Sequence, residues 1–118
     1  MDKADRMALL MREMLKTYRD KNADYGDSFS KSYQEFGLIA PVVRMSDKME
    51  RLKSLSKVEA RVKNESIRDT LIDLANYAMM TVIELDIDRD YVPSDDILAD
   101  IEAKLPDADY AEGDKLNI

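Results

Sequence analysis

The chain has no cysteine and no histidine. The first absence excludes disulfides, thiol nucleophiles and thiolate zinc sites, and the second excludes imidazole acid–base chemistry. Any catalysis must therefore run on carboxylates, a bound metal, lysine or tyrosine. Glycine and proline, the residues that interrupt helices, occur three times each in 118 residues. With Leu, Met, Ala, Glu, Lys and Arg abundant, this scarcity predicts an all-α protein. No apolar run approaches the roughly 20 residues that span a bilayer. The N-terminal stretch MDKADRMALLMREM is charged throughout and lacks the continuous apolar segment of a secretory leader. The expectation is a soluble, cytoplasmic protein with no membrane partner.

Apolar residues make up 45% of the chain and charged residues 36%. This is enough for one domain with a modest core, and small enough that the fold gains from oligomerisation. The formal net charge is −7 and the sequence pI about 4.6. Such a balance disfavours a sequence-independent grip on polymeric nucleic acid, where lysine and arginine must neutralise phosphates. A free nucleotide is still allowed, because a metal ion can bridge its phosphates to carboxylates.

Helical spacing of Met7, Leu10, Met11, Met14, Leu15 and Tyr18 predicts an amphipathic helix over about 2–20, ended by the turn-forming residues 22–27 around Gly26. Ser28 or Ser30 is suited to cap a short helix to about Phe36, with Gly37 ending it. Pro41 fits the first turn of a third helix running to about Ser56, where its missing N–H costs nothing. There Met45, Met49, Leu52 and Leu55 make the inward stripe. The KVEARVK stretch either joins this helix to the next or extends it. Asn64 is a plausible N-cap for the longest helix, about 65–88. A short helix follows the Tyr91-Val92-Pro93 break, from Ser94 to about Lys104. These elements predict a four- to five-helix bundle over residues 1–105, and the acidic residues 106–118 a tail or an arm laid on a partner.

The longest helix carries the most distinctive pattern. Ile67, Leu71, Leu74, Ala75, Ala78, Met79, Val82 and Leu85 cover one broad arc. Glu65, Asp69, Asp73, Asn76 and Glu84 occupy a band opposite, with Arg68 the sole cation between Glu65 and Asp88. Like charges at i, i+4 destabilise an exposed helix by a few tenths of a kcal/mol each. The preceding helix adds Asp47 and Glu50, which also share a face. If the two helices pack antiparallel, these carboxylates can converge on a hard divalent cation, Mg²⁺ or Mn²⁺, whose bound water can serve as nucleophile without histidine. The alternative is a solvated face, with Asp47 paired to Arg51 and Glu65 favouring a helix N-terminus. Spacing alone leaves both open.

The segments KNADYGDSF, RMSDKMERLKSL and ESIRDTLIDLANYA, in this order, resemble the nucleotide modification associated domain 1 family common in bacteriophages. The likeness spans roughly residues 15–85. A looser similarity is to the all-α nucleoside triphosphate pyrophosphohydrolases, the MazG and dimeric dUTPase group. Those hold Mg²⁺ with an E-x-x-E pair on one helix and an E-x-x-D pair on a later one, and release a nucleoside monophosphate and pyrophosphate. The resemblance implies a MazG-like fold in which Asp47 and Glu50 stand for the first pair, with Asp replacing Glu. Glu65 and Asp69 stand for the second, at i, i+4 instead of i, i+3. These four would be the metal-holding and catalytic residues, with Asp73 behind them. Lys21, Tyr25, Lys48, Arg51 and Asn76 would contact phosphates, base or ribose. Each has a plainer role open to it: Tyr25 as core packing at a turn, Lys48 and Arg51 as partners of local acids.

Three functions follow for test: a Mg²⁺-dependent nucleotide pyrophosphohydrolase, a non-catalytic nucleotide-sequestering protein, or an adaptor whose acidic face docks a basic protein. In each, a homo-oligomer, dimer or tetramer, is expected. A thin bundle of this length leaves the broad apolar arc incompletely covered.

Overall fold

The computed structural model describes the backbone of residues 1–25, 27–58 and 60–104, and the side chains of these apart from 23–25, 60–65, 103 and 104. The chain is all-helical over these residues, with five helices and no strand: α1 (Lys3–Tyr25), α2 (Ser28–Phe36), α3 (Ile39–Leu55), α4 (Ala60–Asp88) and α5 (Asp95–Lys104). It divides into two compact units, Met1–Ile87 and Asp88–Ile118. The predicted tail, 106–118, lies outside the described residues.

Local chemistry sets the helix ends. Asp2 and Asp5 cap α1 reciprocally: Asp2 Oδ1 accepts from the Asp5 N–H at 2.8 Å, and Asp5 Oδ2 accepts from the Asp2 N–H at 3.3 Å. Helix α1 runs five residues beyond the expected stop at Asp20. Neither Lys21 nor the Asn-Ala-Asp sequence after it breaks a helix, and Lys16 supports the turn through a 2.9 Å pair with Asp20. The cap of α2 is Asp27 rather than a serine; its Oδ1 accepts from the Ser30 N–H. A carboxylate there reaches the N–H three residues on and meets the positive end of the helix. Gly37 ends α2 at φ +75°, ψ −159°, a backbone region that side-chain-bearing residues rarely enter, and its N–H donates to the Tyr33 carbonyl at 2.7 Å.

Pro41 lies in the first turn of α3, as expected, and is fully buried. Helix α4 begins at Ala60, before Asn64, because the KVEARVK segment continues it; Ala, Arg and Lys are good helix formers. Among the described residues Met14, Phe29 and Leu55 are the buried hydrophobic side chains, one each from α1, α2 and α3.

Pairings between helices give the directions within the first unit. Glu13 meets Arg68 and Lys21 meets Asp73, so α1 and α4 run in the same sense. Lys48 meets Asp73 while Arg44 lies against Tyr77, so α3 runs antiparallel to α4, as the cleft hypothesis requires. The side of α4 turned toward these helices carries Thr70, Asp73, Tyr77, Met80, Thr81 and Glu84, all buried or half-buried. Thr70 and Thr81 satisfy their hydroxyls within the helix, donating to the carbonyls of Ser66 and Tyr77 at 2.7 Å. The broad apolar arc points the other way: Leu71 is 48% exposed, Met79 43%, Val82 53% and Leu85 38%.

In the second unit, Asp90 adopts φ +53° just after α4. The Arg89 guanidinium lies 5.5 Å from the Tyr91 ring centre, and α5 starts with Asp95 and Asp96 in its first turn, where negative charge suits the helix N-terminus.

Candidate functional site

A cleft of about 350 Å³ opens between α1, α2, α3 and α4. Helix α1 contributes Thr17, Tyr18, Lys21 and Asn22, spaced so that they share one face over its last turns. Across from them α4 presents Asp73, Asn76, Tyr77 and Met80, again one face. Ser28 and Phe29 of α2 and Arg44 of α3 complete the lining.

The rings of Phe29 and Tyr77 lie nearly parallel, 13° apart with centroids separated by 6.2 Å. The Arg44 guanidinium sits 5.8 Å from both ring centres, a separation at which a cation is attracted to an aromatic face. Asp73 is held by two lysines from two other helices. Lys48 Nζ on α3 donates to Asp73 Oδ2 at 3.1 Å, and Lys21 Nζ on α1 lies 3.9 Å from Asp73 Oδ1. Lys48 does not line the cleft; it reaches it through Asp73. Three cations thus gather around Asp73 in a chain whose net charge is −7.

Tyr18 belongs to a different environment. Burial pushes its phenol above the ordinary tyrosine value, and the charges of Asp27 and Glu84 add to the shift. It is a neutral O–H at physiological pH, able to donate into the cleft. Glu84 is fixed by Ser30, whose Oγ donates to it at 2.8 Å, and Gln34 Nε2 donates in turn to Ser30 Oγ. Beyond the cleft, Arg68 grips Glu13 with two parallel hydrogen bonds of 3.1 Å.

Of the residues singled out in the sequence, Lys21, Asp73 and Asn76 line the cleft and Lys48 is bound to it. Asp47, Glu50, Arg51 and Asp69 are exposed, and Glu50 pairs with Lys53 at 3.0 Å. The side chains of Tyr25 and Glu65 lie outside the described residues. Among the described residues no group of three or more acidic side chains is placed to hold a metal ion, so Asp47, Glu50 and Asp69 do not form one without Glu65. Sequence reasoning missed Phe29, Arg44, Thr17 and Tyr18. Arg44 had a signal: it precedes Lys48 by four residues, on the same face of α3. Phe29 had a weaker one, as an aromatic residue in the short polar helix SFSKSYQEF.

Chemically, the cleft offers ammonium and guanidinium groups to an anion, the Tyr77 ring, backed by buried Phe29, to a flat ring, and an amide and a phenol for hydrogen bonding. No helix among the described residues is long and apolar enough to cross a membrane. Fold and cleft together define a small all-helical protein with a cleft lined by cationic and aromatic side chains. More particularly, the chain belongs to the nucleotide modification associated domain 1 family, whose sequence profile matches residues 21–85, more than half its length. No curated protein and no solved structure matches it. The matched segment contains every cleft residue except Thr17 and Tyr18.

Proposed function

We propose that the chain is a nucleotide-handling protein that binds a nucleoside phosphate in the cleft between α1 and α4. The observation that carries this reading is a gathering of cations beside an aromatic pair: Lys21, Arg44 and Lys48 around Asp73, next to Phe29 and Tyr77. Phosphates fit the cations, with Arg44 able to engage two oxygens at once. The base fits against the aromatic surface, where stacking is tolerant of base identity, and Asn76 offers a donor and an acceptor to its edge. The family's description, nucleotide modification associated, points to the same ligand class.

Within this reading the reaction is nucleoside triphosphate pyrophosphohydrolysis, supported by the similarity of the paired carboxylates to the all-α pyrophosphohydrolases. Mg²⁺ or Mn²⁺ would enter with the substrate. Magnesium is typically held by one or two carboxylates plus substrate phosphates and retains several waters, so a preassembled cage is not required. The described side chains do not make one, and Asp47, Glu50, Asp69 and Glu65 stand as its candidate ligands. Arg51, on the Lys48 side of α3, is a further phosphate contact. A setting in phage nucleotide metabolism, in the host cytoplasm, accords with the family likeness. Incubation with a panel of nucleotides and Mg²⁺ tests the reaction. Release of pyrophosphate is expected; absence of both turnover and magnesium binding overturns the enzyme reading.

One observation favours a second reading, non-catalytic sequestration: the described carboxylates Asp47, Glu50 and Asp69 are spread over exposed surface and gather no metal group. Recovery of intact nucleotide from a tight complex supports it, and turnover excludes it.

We also propose a homo-oligomer, dimer or tetramer. The outward arc of α4, with Leu71, Met79, Val82 and Leu85 at the surface, is the face a second copy would cover.

A further inference from the structure

The strongest unexplained feature of the cleft is the state of its single carboxylate. Asp73 on α4 spans two ammonium groups that come from two different helices, Oδ2 to Lys48 and Oδ1 to Lys21. Two oxygens bridging two lysines is also the arrangement a phosphoryl group would adopt on the same pair. The Lys21 side chain is 63% exposed and the Lys48 side chain 27%, so Lys21 is open to solvent and Lys48 partly so. We propose that Asp73 is an internal competitor for the anion site: it occupies the Lys21–Lys48 pair until a more highly charged phosphate chain displaces it. This rests on the nucleotide-binding reading and deepens it, because it names the group that a ligand must displace.

The selection follows from charge. A carboxylate brings one negative charge to the two lysines, and an incoming anion must outbid it while enduring its repulsion from a few ångströms away. Orthophosphate gains little over the carboxylate it replaces. Pyrophosphate, or the β- and γ-phosphates of a nucleotide, carries more charge over more oxygens and gains more from each ammonium. That preference comes from the lysines, and Asp73 sets the threshold. Displacing it costs the same whichever anion enters, and its residual repulsion grows with the anion's charge, so it weakens every anion and admits those that gain most from the two ammonium groups. A purely structural Asp73, present only to hold the two lysines in place, would do the opposite and strengthen the binding of every anion.

The test is titration calorimetry in metal-free buffer with inorganic pyrophosphate and orthophosphate as ligands, comparing the parent chain with D73N and K48M. Loss of one unit charge at this range and near-surface screening predicts that D73N binds pyrophosphate about tenfold more tightly. Orthophosphate should also bind more tightly, though by no more than pyrophosphate, since relief of repulsion grows with the charge of the anion. K48M should weaken both ligands. Thermal melts check that each variant is folded, and D73S replaces D73N in the comparison if D73N folds poorly. Weaker pyrophosphate binding by D73N, in parallel with K48M, overturns the inference and makes Asp73 a positioning residue. Equal binding by D73N and the parent overturns the inference alone. If neither pyrophosphate nor any nucleotide of the panel binds the parent or D73N, the nucleotide-binding reading falls with it.

Discussion

At the scale of single residues, two positions have effects that can be stated with a sign. Gly37 closes α2 at φ +75°, and a Cβ added there would meet nothing within 4 Å. The obstacle to a side chain is backbone conformation alone. Gly37→Ala should therefore destabilise the fold by about 1–3 kcal/mol, read as a lower midpoint in urea with unchanged slope. The second position is Glu13. Its hydrogen bonds from Arg68 hold its carboxyl below the ordinary value of 4.5. An acid whose folded pKa is depressed contributes stability above its unfolded value, and the contribution disappears as pH falls through the folded one. Glu13→Gln should accordingly melt at a lower temperature than the parent at neutral pH. The gap should close on acidification below 4.5 and shrink in high salt, since both side chains are about half exposed. A gap independent of pH would show that the residue acts through packing.

At the scale of elements, α2 has a role out of proportion to its nine residues. It carries Phe29, which is buried, stacked on Tyr77 and faced by Arg44. Phe29→Ala should cost about 3–5 kcal/mol and also weaken nucleotide binding. Phe29→Leu, which keeps most of the volume, should restore stability more than it restores affinity. Equal recovery of both would remove the aromatic surface from the binding argument. Asp27→Ala, removing the α2 cap, should cost about 1 kcal/mol in the same denaturation measurement.

The elements also show what periodicity could and could not tell. Helices α2, α3 and α5 follow their sequence signals closely, because Gly37, Pro41 and the Tyr91-Val92-Pro93 break act locally. The end of α1 and the start of α4 differ, since the residues beyond those expected boundaries are compatible with helix and do not stop it. For α4 the pattern correctly separated an apolar arc from a polar band. Which side meets α1 and α3 was not legible: hydrophobicity alone turns the arc inward, whereas the packed side carries Thr70, Asp73, Tyr77 and Glu84. The polar side satisfies itself with intrahelical hydroxyl bonds and with Lys48, Lys21 and Ser30, partners on other helices that no local window contains. For the same reason Lys21, Lys48, Asp73 and Asn76 could be named from sequence while their shared cleft with Arg44 and Phe29 could not.

At the scale of the whole molecule, the first unit is a set of helices of unequal length. At about 1.5 Å per residue, the 29 residues of α4 reach well beyond the 17 of α3, so α3 alone cannot cover its length. Val82→Glu places a charge in the middle of the outward arc, 53% exposed in the single chain. If a second copy covers this arc, the variant should have a lower mass by light scattering than the parent, and the parent should exceed the 13.5 kDa of one chain. Identical masses for the two would place any contact between copies elsewhere.

The outward orientation of that arc also bears on how the protein responds to dilution. If a second copy covers Leu71, Met79 and Val82, part of the chain's stability belongs to the encounter and varies with abundance. Its melting temperature would then climb with the amount of protein in the tube, and an infected or expressing cell would hold a sturdier population once synthesis passes the association threshold.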